Sequence, residues 1–187
     1  LFWQTAAPEF RRRSGDYPPS QATARTGRKS TRLRRSGPAN RRKVSGLQQF
    51  SDTSYSDLAG SSLTYTPPTG TTLVIYEYAF LQSRQDSHAI GHYKFNISGT
   101  VITNSYFSIS ANSQLEDIIH FKFPINIGGS TNADTGQLAS WGSSRVLKLE
   151  GRRYGGSNAQ MIHTTEYSDG AGVARFHQPC VGVTAVA

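Results

Sequence analysis

Residues 63–81 read LTYTPPTGTTLVIYEYAFL, and the second half of that stretch decides the fold. From position 73 it separates into two interleaved sets, Leu73, Ile75, Glu77, Ala79 and Leu81 against Val74, Tyr76, Tyr78 and Phe80. A period of two in β-branched and aromatic residues describes a strand, because successive side chains on extended backbone point to opposite faces. Both sets are largely apolar. One face is therefore expected to meet an opposing sheet and the other a second dry surface, a neighbouring subunit. Pro67, Pro68 and Gly70 mark the turn before the strand, since proline cannot donate to a central ladder. Glu77 is the one charge in the run and requires a partner or an edge position. The stretch predicts a core strand of a β-sandwich.

Outward from it, the same period recurs. Tyr93, Phe95 and Ile97 alternate with His92, Lys94 and Asn96, and Ser98-Gly99 makes the turn into Val101-Ile102. Phe107 and Ile109 mark a short strand. Ile119, Phe121, Phe123, Ile125 and Ile127 keep one parity, with Pro124 placing that strand near an edge or a bulge. A polar loop over residues 128–141 leads to Val146, Leu147 and Leu149, and Gly155-Gly156 signals a hairpin into a strand through Met161, Ile162 and Tyr167. A last strand over 176–186 carries Val181, Val183 and Ala185 on one face. Seven to nine short strands with no amphipathic helix predict an all-β sandwich or jelly roll over residues 63–187. Residues 47–62, with Leu47, Phe50, Tyr55 and Leu58, read as a lead-in that docks on the domain.

The first 46 residues are different. They hold 12 Lys and Arg against two acids, Glu9 and Asp16, while residues 47–187 hold 8 against 10. The basic clusters are Arg11, Arg12 and Arg13, then Arg28 and Lys29, Arg32, Arg34 and Arg35, and Arg41, Arg42 and Lys43. Pro8, Pro18, Pro19 and Pro38 interrupt any helix, and no hydrophobic period is present. Such a segment cannot bury enough surface to offset its ordering entropy. It is expected to be an extended, irregular basic arm that takes its shape from a negatively charged partner, either an acidic protein lattice or nucleic acid bound without sequence preference.

Motifs for chemistry are scarce. There is no GxSxG, HExxH, P-loop or GxGxxG. His88, His92, His120, His163 and His177 are dispersed, and His88 and His92 lie too far apart along a strand to chelate one ion. Glu116-Asp117 reads as a loop-end charge pair, and Asn96-Ile97-Ser98 as a chance sequon within a strand. Cys180, the single cysteine, is expected to be a buried, inert thiol. No catalytic residue, metal or cofactor is expected. No apolar run approaches the roughly 20 residues of a membrane helix, and Leu1-Phe2-Trp3 is too short for a signal core.

Several runs carry a resemblance: Tyr65-Thr66-Pro67-Pro68-Thr69-Gly70-Thr71, Val74-Ile75-Tyr76, His92-Tyr93-Lys94, Ala139-Ser140-Trp141 and Tyr167-Ser168-Asp169-Gly170. Over residues 60–187 the chain resembles virion appendage proteins of tailed bacteriophages, the tail-fibre, head-fibre and capsid cement components. That resemblance implies a jelly roll akin to the tumour-necrosis-factor/C1q fold, commonly trimeric and without enzymatic activity. It also implies that Val74, Tyr76, Tyr78 and Phe80 face a threefold axis. The expected function is a cement or decoration protein on the capsid surface, a homotrimer tied by its arm to the major capsid protein lattice. Two alternatives stay open: a fibre or receptor-binding tip that uses the loop at 128–141, and a small-virus coat protein whose arm packages RNA.

Overall fold

The computed structural model describes residues 48–50, 52–84, 90–110, 117–155, 160–162 and 177–187. The arm, with all eleven of its named cations, lies outside these residues. So do Leu47, His88, Glu116, Gly156, His163 and Tyr167.

The protein is a jelly-roll β-sandwich of two antiparallel sheets. Eleven strands fall within the described residues, in chain order β1 (Gln48–Phe50), β2 (Ser56–Asp57), β3 (Leu63–Tyr65), β4 (Leu73–Arg84), β5 (Ile90–Ile97), β6 (Thr100–Val101), β7 (Phe107–Ser110), β8 (Asp117–Asn126), β9 (Arg145–Arg153), β10 (Gln160–Ile162) and β11 (Cys180–Val186). In the first sheet β4 is central, with β8 along one edge and β11 followed by β10 along the other; β1 lies outside β10. In the second sheet β5 and β9 pair at the centre, flanked by β6 and β7 beside β5 and by β2 and β3 beside β9. The chain changes sheet from β3 to β4 to β5, and again from β7 to β8 to β9 to β10. That repeated crossing between layers is what separates a jelly roll from a meander.

The core is aromatic. Val74, Tyr76, Tyr78 and Phe80 from β4 face Tyr93, Phe95 and Ile97 from β5 and Leu147 and Leu149 from β9, all of them buried. Ring centroids of Tyr76 and Phe95 lie 4.8 Å apart, and those of Phe80 and Tyr93 5.6 Å. Each such side chain contributes about 1.5–3 kcal/mol by leaving water. Three buried phenols would cost much of that gain if left unpaired, and none is. Tyr76 donates to the Ser61 carbonyl at 2.6 Å, Tyr78 to the Ala59 carbonyl at 2.7 Å and Tyr93 to Gln82 Oε1 at 2.6 Å.

Three expectations are corrected here. Val74, Tyr76, Tyr78 and Phe80 do not face a neighbouring subunit, because they fill their own protomer's interior and are at most 1% exposed. The hairpin expected at Gly155-Gly156 would pair the strands on either side, but β9 belongs to the second sheet and β10 to the first. Cys180 is exposed, because it shares the outer parity of β11 while Val181 and Ala185 point inward. The lead-in also does more than dock. β1 and β2 extend opposite sheets, and Phe50 and Leu58 enter the core.

Room for that lead-in comes from Gly151, the inward-facing residue of β9 after Leu147 and Leu149. A Cβ there would stand 2.8 Å from Leu58 Cδ1 and 3.0 Å from Phe50 Cζ. Gly151→Val should lower stability by about 1–3 kcal/mol through overpacking, read as a shift in the urea midpoint at constant slope. An unchanged midpoint would show that the lead-in does not rest on this glycine.

Burial also holds the phenols of Tyr76, Tyr78 and Tyr93 protonated far above the ordinary range, with Tyr78 adding to the effect at Tyr76 and Tyr93 to that at Tyr78. Their unfolded-state phenols ionise near pH 10. The stability they contribute is fully present below that value and is lost as pH rises beyond it. Tyrosinate absorbance from these three buried rings should therefore appear only together with loss of near-ultraviolet circular dichroism.

Candidate interaction surfaces

Register assigns different characters to the two outer faces. On the first sheet, β4 turns Leu73, Ile75, Glu77 and Ala79 outward. Beside them in β8 lie Asn126, Pro124, Lys122 and His120, and in β11 Val186, Thr184, Gly182 and Cys180. The result is a mixed surface, in which Leu73, Ile75, Ala79, Pro124 and Val186 lie among Glu77, Lys122, His120, Asn126 and Thr184. Its one ion pair, Glu77 with Lys122 at 3.1 Å, is exposed. Glu77 thus has the partner its position demanded, although a pair this wet contributes little to stability.

The rim beside this face is apolar. β8 pairs only with β4 among the described residues, so its other ten-residue edge is unpaired there. Its inward residues Ile119, Phe121 and Phe123 are only half-buried, like Phe107 and Ile109 of β7. Together they line an open groove of about 570 Å³ between the sheets. Phe107 and Phe121 stack with centroids 5.4 Å apart. Ile118 and Tyr106 stand more than half exposed at its margins. Among the described residues this is a long edge strand without a second partner, next to partly exposed aromatic rings, the kind of surface open to pairing or packing. The parity of residues 119–127 was legible in the sequence, but the gap above it arises from where two sheets diverge.

The outer face of the second sheet is polar and cross-linked. Lys94 bonds Glu150 at 3.1 Å, Glu150 bonds Lys148 at 3.2 Å, and Lys148 bonds Asp57 at 2.6 Å. The Asp57 hydrogen bond raises the Lys148 pKa. Lys94 also lies 4.2 Å from the centre of the Tyr55 ring, with Arg152 5.1 Å from the same ring. Asn96, expected on this wet face, is buried there, donating to Glu150 and accepting from the Gly99 amide at 2.7 Å. That second bond supports the left-handed turn at Ser98 and Gly99, with φ of 50° and 90°. The sequon asparagine is thus a turn brace.

His92 Nδ1 lies 2.7 Å from Ser108 Oγ, the one Ser–His contact among the described residues. Its other ring nitrogen is buried and meets no acceptor, so no carboxylate orients the imidazole as an acyl-transfer triad requires. No group of three His, Cys, Asp or Glu among the described residues is placed to hold a metal ion.

The third feature is the end loop at 128–141. Gly128, Gly129 and Gly136 adopt positive φ, and Leu138 and Trp141 are buried. Asn132 Oδ1 accepts from the amides of Asp134 and Thr135, and Gln137 Nε2 donates to the Gly128 carbonyl at 2.7 Å. The loop is therefore a built structure rather than slack.

Compared with known proteins, the chain matches no family model and no curated relative.

Desolvation, and then the Arg152 charge beside it, depresses the His92 pKa. Its titration by NMR should have a midpoint below the ordinary 6.5, and Arg152→Gln should move that midpoint up. Stability falls as pH drops below about 6.5, where the unfolded chain takes a proton that the folded chain resists. A His92 midpoint above 6.5 would contradict this environment.

Proposed function

We propose that the protein is a non-enzymatic structural component of a virion, a cement or decoration protein that assembles as a homotrimer and is tied to a capsid by its basic arm. The observation that carries this reading is the open aromatic rim of β8, adjoining the aliphatic side chains Leu73, Ile75, Ala79, Pro124 and Val186 on the outer face of the first sheet. A face and a rim that differ in shape favour head-to-tail contacts, in which the rim of one copy packs on the face of the next. Such contacts close into a ring when the rotation permits. The subunit interface thus moves from the Val74 set to the opposite parity of β4.

The cross-linked polar face of the second sheet then remains in solvent on the outside of the ring. The arm supplies the attachment: its 12 cations against two acids suit a carboxylate-rich lattice of major capsid protein, with guanidinium groups forming paired hydrogen bonds. Nucleic acid is the second-choice partner for the arm. Contacts made only in the assembled state stabilise the shell by mass action.

Sedimentation of the full chain should show a trimer. Ile75→Asp should shift it to monomer, costing about 2 kcal/mol or more per interface, with the far-ultraviolet spectrum unchanged. Removing residues 1–46 should leave the trimer intact and abolish decoration of shells. A monomer at all concentrations, or full decoration by the truncated chain, would refute the proposal. Tight arm binding to RNA with a steep salt dependence would favour the coat-protein alternative instead.

A further inference from the structure

At the end of the sandwich under the 128–141 loop lies a cavity of about 120 Å³. Arg145 is the one charged residue that lines it. Arg145 has the inward parity of β9, continuing the series Leu147, Leu149 and Gly151, so its side chain enters the sandwich from that end. Its Nε atom is sealed from solvent without an acceptor, and no ion pair among the described residues neutralises the guanidinium. The strand partner opposite Arg145 is Tyr65, whose ring stands edge-on to Trp141 with centroids 6.0 Å apart. Trp141 Nε1 is likewise buried without an acceptor. Trp141 stands beside the cavity without lining it, whereas Arg145 lines it with an unmet donor and no carboxylate among the lining residues, so the guanidinium calls for an acceptor from outside. Leaving such groups unmet is costly and uncommon in folded proteins.

The remaining walls favour more than a bare anion. Thr131 Oγ1 already accepts from the Ala139 amide, which leaves its own proton to donate. Asn132 uses only its oxygen and Gln137 only its nitrogen within the loop, so one amide donor and one amide acceptor remain. Ile97, Ile102 and Leu138 add an apolar floor. Mixed donors and acceptors over an apolar patch suit a hydroxylated ring, whose hydroxyls both give and take hydrogen bonds. The volume falls below that of pockets for whole drug-sized molecules, about 300–1,000 Å³, so it takes one end of a ligand.

We infer that this cavity binds the carboxylate end of an acidic sugar residue, with Arg145 pairing the carboxylate and Thr131, Asn132 and Gln137 reading adjacent hydroxyls. The site lies within one protomer and its test is independent of whether the chain decorates a capsid. An acidic glycan on a cell or particle surface is the class of partner it fits.

The experiment is a ¹⁵N NMR titration of the full chain, following the Arg145 Nε–H and Trp141 Nε1–H resonances. Glucuronate and N-acetylneuraminate are the probes, with glucose, acetate and a short peptide ending in a free carboxylate as comparisons. Acidic sugars should shift both resonances saturably with a Kd of about 1 mM or tighter, while glucose should not. Arg145→Lys keeps the charge but loses the planar fork, and should weaken binding at least about tenfold at an unchanged melting temperature. Thr131→Ser, which retains the hydroxyl, should bind like the parent chain and guards against a variant that fails only by misfolding. Acetate or the peptide binding as tightly as the acidic sugars would overturn the sugar assignment. No saturable shift with any probe would overturn the site.

Discussion

The packing of one face of β4 against the second sheet is the constraint on which the rest of the structure depends. Four consecutive inward positions, Val74, Tyr76, Tyr78 and Phe80, are sealed from water, and three carbonyl oxygens are placed to accept from the phenols of Tyr76, Tyr78 and Tyr93. Two of those partners are carbonyls of the segment between β2 and β3. The lead-in is therefore part of the core's hydrogen bonding as well as its volume. A one-residue slip of β4 would send Glu77 into the interior and strand the tyrosines outside, so the register is strongly specified.

Once that face is committed, the functional surfaces follow. The opposite parity of β4 becomes the outer face, and its neighbours in β8 and β11 extend it by pairing directly across the ladder. The second sheet buries Tyr93, Phe95, Leu147 and Leu149 and thereby turns Lys94, Glu150 and Lys148 outward into a bonded network. One sheet thus offers a mixed exterior with a single exposed ion pair, Glu77 with Lys122, and the other a bonded network of charges.

Particular residues show how far the sequence could be read. The strands of 73–84, 90–97 and 117–126 were legible because each carries a clean period of two, and β8 with its Pro124, expected near an edge or a bulge, pairs only with β4 among the described residues. Cys180 was misread because its apolar neighbours say that a strand is present without saying which way position 180 points. Gly155-Gly156 was misread because a glycine pair marks a reversal of chain direction but not the sheet in which the chain resumes. Arg145 gave no signal at all: one arginine before Val146 and Leu147 looks like a solvated strand end. Its meaning arises only when the loop with Thr131, Asn132 and Gln137 folds over it.

By itself the sequence determined that the chain is all-β, where its principal strands run, and that its positive charge is confined to the first 46 residues. These are local properties, set by backbone period and by composition. The tertiary structure alone decided which of two apolar faces of β4 is the inside, and which distant residues share the end cavity. Both faces are largely apolar, and within the strand only Glu77 distinguishes them. The choice falls to strands paired across the fold, whose combined burial outweighs any preference of β4 itself.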